Sequence, residues 1–133
     1  MSESSPAPKH PKVLVVDDSS FSRRNLRLFL EAMGFHVEEA PDGAQALERF
    51  YIAPPDLVML DLVMPGMNGA EVLAKLTAIN PDIPVIIATS DVQQAAADEV
   101  RQLGARALLN KPVNRAALES AVRQALTGGN SWS

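Results

Sequence analysis

The stretch Lys12-Val13-Leu14-Val15-Val16-Asp17-Asp18-Ser19-Ser20 decides how the chain is read. An apolar run that does not alternate with polar residues suits a strand buried on both faces, as in a parallel sheet covered by helices. The Asp and Ser residues that follow are helix-capping types, so the strand leads directly into a helix.

The same succession recurs along the chain. Ser22, Leu26, Phe29, Leu30 and Met33 return at helical spacing, with Arg23, Arg24 and Arg27 mostly outward and Gly34 as the stop. Residues 35–40 read as a second strand. Residues 42–52 read as a helix with Ala46, Leu47 and Phe50 on one side, broken by Pro54-Pro55. Leu57-Val58-Met59-Leu60 forms the third strand, within residues 56–61. A loop, Pro65-Gly66-Met67-Asn68-Gly69, precedes a helix over 71–79 that Asn80-Pro81 ends. A strand over 84–89, an Ala-rich helix over 92–103, a strand over 107–110 and a helix over 114–126 complete the chain. Five βα units predict an α/β fold: a doubly wound five-stranded parallel sheet with right-handed crossovers. The order 2-1-3-4-5, the flavodoxin-like arrangement, fits five strands best.

Composition narrows the function classes. With 133 residues there is room for one domain, since a domain takes roughly 100–200 residues. Hydrophobic residues at 47% and charged residues at 21% describe a soluble globular chain. No apolar run approaches the roughly 20 residues that span a bilayer, and the polar, Pro-containing start lacks the core of a signal peptide. A cytoplasmic protein is expected, without membrane insertion. The absence of cysteine excludes disulfides, thiolate metal sites and Cys nucleophiles. A net charge of -4 argues against a nucleic-acid partner. Residues 1–11 and 128–133 read as flexible tails around a body at 12–127, with Trp132 in the second tail as a frayed end or a docking residue.

In a doubly wound sheet, ligands bind beyond the carboxyl ends of the strands where the strand order reverses. Here that point lies between strands one and three, which end in Asp17-Asp18 and Asp61. Thr89 ends strand four, and Lys111-Pro112 follows strand five. Crowded carboxylates raise one another's pKa, and a hard cation such as Mg²⁺ relieves the repulsion. Lys111 supplies a further positive charge and Thr89 a hydrogen-bond donor. With no cysteine, and with His10 and His36 at unrelated places, the attractive nucleophile is a carboxylate. Taken singly each Asp at a strand end is a cap or turn residue, the role expected of Asp42, Asp56, Asp82 and Asp91. The combination is what points to a site.

These residues resemble the receiver domain of two-component response regulators. Val13-Leu14-Val15-Val16-Asp17-Asp18 is similar to the family's first strand and acidic pair. The segment from Asp56 to Gly69 resembles its phosphoacceptor strand and loop, Ala88-Thr89-Ser90 its switch hydroxyl, and Asn110-Lys111-Pro112 its lysine followed by proline. The resemblance runs from Lys12 to about Leu126. It implies that Asp61 accepts a phosphoryl group from a sensor histidine kinase or a histidine phosphotransfer protein. Asp17, Asp18, Asp61 and the main-chain carbonyl of Val63 would hold Mg²⁺, with Asp17 acting largely through water. Lys111 and Thr89 would contact the phosphoryl group, and Lys111-Pro112 would be a cis peptide. The face of the fourth helix, fifth strand and fifth helix would meet an unidentified downstream protein, the chain being a monomer or weak dimer.

The sequence departs from the family's common pattern in two respects. An aromatic residue often stands where Leu108 does, so coupling between Thr89 and that position is expected to be absent or altered; the alternative is that Leu108 fills core volume. Val63 and Asp91 occupy the positions that flank the path of attacking water, and Val63 predicts slow loss of the phosphoryl group. Within the receiver class the roles are switch, relay intermediate or phosphate sink. Leu108 and Val113 argue mildly against the motor-binding chemotaxis type. A Mg²⁺-dependent phosphohydrolase would place a second acid at position 63 and add a cap domain, and neither is present. A flavodoxin-like cofactor binder would need a phosphate loop where Asp17-Asp18 stands. The expectation is a stand-alone signalling domain that is no enzyme beyond its own phosphorylation and dephosphorylation.

Overall fold

Strand β1 (Lys12–Val16) lies between β2 (His36–Ala40) and β3 (Leu57–Leu60), which is why Val13 to Val16 are all buried. This is seen in a computed structural model of the chain, which describes residues 11–90, 93–130 and 132. The remaining elements are α1 (Ser20–Ala32), α2 (Gly43–Ile52), α3 (Gly69–Ile79), β4 (Val85–Thr89), α4 (Gln94–Gln102), β5 (Ala107–Asn110) and α5 (Arg115–Leu126). All strand pairings are parallel and the order is β2-β1-β3-β4-β5, as expected from the sequence.

Successive strand residues point to opposite faces of the sheet, and this divides the core in two. Val13, Val15, Leu57, Met59, Ile86 and Ala88 pack under α1 and α5 with Leu26, Leu30, Leu118 and Val122. Leu14, Val16, Val58, Leu60, Val85 and Ile87 pack under α2, α3 and α4 with Phe50, Leu73, Leu76 and Val100. Helices on both faces leave the strand ends as the place where polar groups converge.

Element boundaries differ from expectation for local reasons. Asp42 and Asn114 stand just outside their helices as caps, accepting hydrogen bonds from Gln45 N–H at 2.8 Å and Ala117 N–H at 3.0 Å. β2 and β4 each start one residue later than expected, at His36 and Val85. The expected start of α3 at Glu71 is corrected to Gly69. Asn68 caps it by accepting from Glu71 N–H at 3.0 Å, so part of the supposed loop is helix. α4 spans Gln94–Gln102 instead of 92–103, and Asp91 and Val92 lie outside the described residues.

The expected tails are described only in part. Residues 1–10 lie outside the described residues, while Pro11 accepts a hydrogen bond from His36 N–H at 2.9 Å. Trp132 is half-buried against the α2–α3–α4 core and donates its indole N–H to the Ala105 carbonyl at 2.6 Å. Its place is therefore that of a docked residue, fixed by contacts far away in sequence.

Candidate functional site

The parallel register aligns Val16 with Leu60, so the next residue of each strand, Asp17 and Asp61, emerges side by side. Main-chain bonds fix both: Asp61 N–H donates to Val16 at 3.0 Å and Asp17 N–H to Ala40 at 3.1 Å. Both carboxylates are buried, while the neighbouring Asp18 is exposed. One oxygen from each of Asp17, Asp18 and Asp61 lies within 4.8 Å of the others. The cluster sits at the reversal point between β1 and β3, where the fold dictates that ligands bind.

Lys111 reaches this cluster from the far edge of the sheet. Its N–H donates to the Thr89 carbonyl at 3.0 Å, continuing the β4–β5 pairing one residue beyond Asn110. Its Nζ donates to Asp17 Oδ2 at 2.5 Å and Asp61 Oδ2 at 2.8 Å. Burial by itself would lower the Lys111 pKa. The hydrogen bonds to Asp17 and Asp61, with the charges of both, outweigh burial and hold it above the ordinary lysine value. The second oxygens are also held: Asp17 Oδ1 accepts from Ser19 N–H at 2.9 Å and Asp61 Oδ1 from Val63 N–H at 3.1 Å.

Three carboxylates face one ammonium, so negative charge remains in excess. Oxygen donors of this kind fit a hard divalent cation, which takes carboxylates, carbonyls and waters. The Val63 side chain is exposed and its N–H is tied to Asp61, which places its peptide beside the cluster. Thr89 is fully buried at the end of β4, and the Lys111-Pro112 peptide is cis. Leu108 is half-buried and packs on the α2–α3–α4 core. Asp91 lies outside the described residues. Asp42 caps α2, and Asp56 accepts from Lys12 N–H at 2.7 Å; both are structural, as expected.

Two contributors escaped the sequence reading. Arg23, expected to point mostly outward, instead donates to the Asp17 carbonyl at 2.7 Å and to Glu39 at 2.9 Å. Arg27, one turn on, reaches Glu39 at 2.7 Å. The hydrogen bond from Arg27 holds the Glu39 carboxyl below its ordinary value; burial opposes this and Arg23 adds to it. The signal was present as two arginines four apart on one helix, facing an acid on the next strand. The second is Gly69, whose Cβ, if it had one, would lie 2.3 Å from the Asp61 carbonyl oxygen and 2.5 Å from Leu62 Cα. Only glycine lets α3 begin that close to the strand carrying Asp61, and its N–H donates to Leu62 at 3.0 Å.

Comparison with known proteins agrees with this geometry. The model of the response regulator receiver domain matches residues 13–123. Chemotaxis protein CheY of Thermotoga maritima is 34% identical over 102 residues, covering 76% of this chain and 85% of that protein. Sporulation initiation phosphotransferase F of Bacillus subtilis is 35% identical over 115 residues, covering 86% and 93%. The structure of Vibrio cholerae chemotaxis protein CheY4 superposes with a TM-score of 0.82 at 30% identity, covering 87% and 98%. With its fold, its acidic cluster and these similarities in agreement, the chain belongs to the response regulator receiver domain family and to phosphorylation-controlled two-component signalling.

Proposed function

We propose that Asp61 is the phosphoacceptor of a signalling switch. The observation that carries this reading is the placement of the Asp61 carboxylate among Asp17, Asp18 and Lys111 at the strand-order reversal. A carboxylate oxygen of Asp61 attacks the phosphorus of a phosphohistidine on a kinase or phosphotransfer protein. The new bond joins Asp61 oxygen to phosphorus, the N–P bond breaks, and the imidazole leaves with the electron pair. Lys111 Nζ, already bonded to Asp61 Oδ2, follows the negative charge onto the phosphoryl oxygens. Thr89, at the neighbouring strand end, offers its hydroxyl to the same oxygens. Asp18, Asp61 and the Val63 carbonyl, with Asp17 acting largely through water, would hold Mg²⁺, which would supply positive charge for the transferring group.

The downstream consequence is a change in partner binding at the face of α4, β5 and α5. β5 is an edge strand flanked by those two helices, and it carries Lys111 at its end. The proposed chemistry is the receiver's own phosphorylation and slow dephosphorylation, without turnover of a separate substrate, and it takes place in the cytoplasm. No helix among the described residues is long and apolar enough to cross a membrane. The partners are a histidine kinase or phosphotransfer protein upstream and a protein target downstream, with no nucleic acid. The chain acts as a monomer or weak dimer. The similarity to the Bacillus subtilis phosphotransferase supports a relay as the second reading of the same site.

The test is intact-mass spectrometry after incubation with a small acyl phosphate and Mg²⁺. The unmodified chain gains one phosphoryl group; Asp61→Asn gains none, and chelating Mg²⁺ prevents the gain. Equal labelling of Asp61→Asn would overturn the assignment. The lifetime of the group is tuned by Val63, whose side chain cannot orient water. Val63→Asn is expected to hasten loss of the phosphoryl group several-fold, measured by the decay of the modified mass. An unchanged decay would remove Val63 from this role.

A further inference from the structure

Helix α4 is held more weakly than its neighbours. Val100 is its one fully buried residue, and Gln93, at its N-cap, makes no side-chain capping hydrogen bond. What lies over its C-terminal end comes from the other end of the fold. α5 closes with Gly128 N–H bonded to Ala125 at 3.2 Å and Gly129 N–H bonded to Gln124 at 2.8 Å. Gly128 takes a positive φ of 86°, the left-handed turn that reverses the chain after a helix. The Arg106 guanidinium then donates to the Gly129 carbonyl at 3.3 Å. Trp132 donates its indole N–H to Ala105 at 2.6 Å, and its ring lies 5.4 Å from the Arg101 guanidinium of the last turn of α4.

We propose that Gly128, Gly129 and Asn130, together with Trp132, form a strap that pins the C-terminal end of α4 to the start of β5. Its contacts follow the connection between the two elements: Arg101 in the last turn of α4, then Ala105 and Arg106 in the connecting residues that lead into β5. An aromatic ring that is half-buried, hydrogen-bonded and placed against a guanidinium adds a second anchor beside Val100, in a helix whose N-terminal turns the core holds least. Docking of Trp132 therefore sets how freely α4 moves, and a protein that grips this end of α4 must first displace the indole. The strap goes beyond the switch reading and stands or falls without phosphoryl transfer to Asp61.

Trp132 is the one tryptophan of the chain, so its fluorescence reports on docking alone. In the unmodified protein its emission is expected to lie to the blue of the urea-unfolded chain, with acrylamide quenching about threefold weaker. Hydrogen exchange followed by mass spectrometry then compares the unmodified chain with Trp132→Ala and Trp132→Phe. In Trp132→Ala the α4 amides are expected to exchange about tenfold faster while those of α1 and α2 keep their rates. Trp132→Phe, which keeps a ring and loses the N–H, is expected to fall between. An α4 unchanged in Trp132→Ala, or an indole as quenchable as in urea, would overturn the strap. A rise spread evenly over the whole protein would also overturn it, since Trp132 would then be a general stabiliser.

Discussion

The two ends of the acidic site rest on different foundations. On one side, β1 and β3 are interior strands whose apolar residues are all buried, and α1 starts from a Ser19 cap with Arg23 tied back to Asp17 and Glu39. On the other side, Lys111 follows an edge strand whose Leu108 and Leu109 are only half-buried, next to a helix with one buried residue and no side-chain cap. Under the proposed function, this difference lets the Asp61 carboxylate stay in place while the α4–β5 side responds. Asp17 and Asp61 are set by a buried ladder that cannot shift without breaking hydrogen bonds. The α4–β5 side has less to lose when it moves, since local opening follows the amount of burial and backbone protection.

The strongest way to break this contrast is to disturb the rigid side. Gly69→Ala places a Cβ against the backbone of Asp61 and Leu62, neither of which can rotate away. The expected cost is about 3 kcal/mol or more, at the upper end for overpacking, read as a fall in the thermal midpoint on the order of 10 °C. A neutral substitution would mean that the frame around Asp61 yields easily.

A smaller effect sharpens the contrast from the other side. Gln93 has φ -67° and ψ 141°, close to Asn114 at -78° and 129°, which caps α5. Gln93→Asn is therefore expected to supply the missing cap and stabilise α4 by about 0.5–1 kcal/mol. Slower hydrogen exchange in the first turns of α4, with other helices unaffected, would show it. No local change would mean that the N-terminal end of α4 is not where its freedom lies.

The contrast also explains what was legible in the sequence. β1, β3, β4 and β5 are legible as short apolar runs ending in Asp, Thr or Asn-Lys, and the helices through spacing and capping residues, all of which are local. Once the strand order was deduced, Asp17, Asp18, Asp61, Thr89 and Lys111 fell together at strand ends, because topology carries each residue to a known edge of the sheet. Gly69 looked like a loop glycine because its need comes from the backbone of Asp61, eight residues earlier. Arg23 reads as a surface residue because its partner Glu39 lies on a different element, β2. Trp132 was ambiguous for the same reason: its carbonyl partner, Ala105, is a residue of the α4–β5 turn.

In the proposed switch, a still site drives a responsive edge. Hydrogen exchange of the unmodified chain, measured with and without acyl phosphate and Mg²⁺, separates the two. The predicted result is that amides of β1, β3 and α1 keep their rates or slow, while those of α4 and β5 change the most. A response confined to α1 and α2, with α4 and β5 unaltered in a chain shown by mass to be phosphorylated, would contradict it.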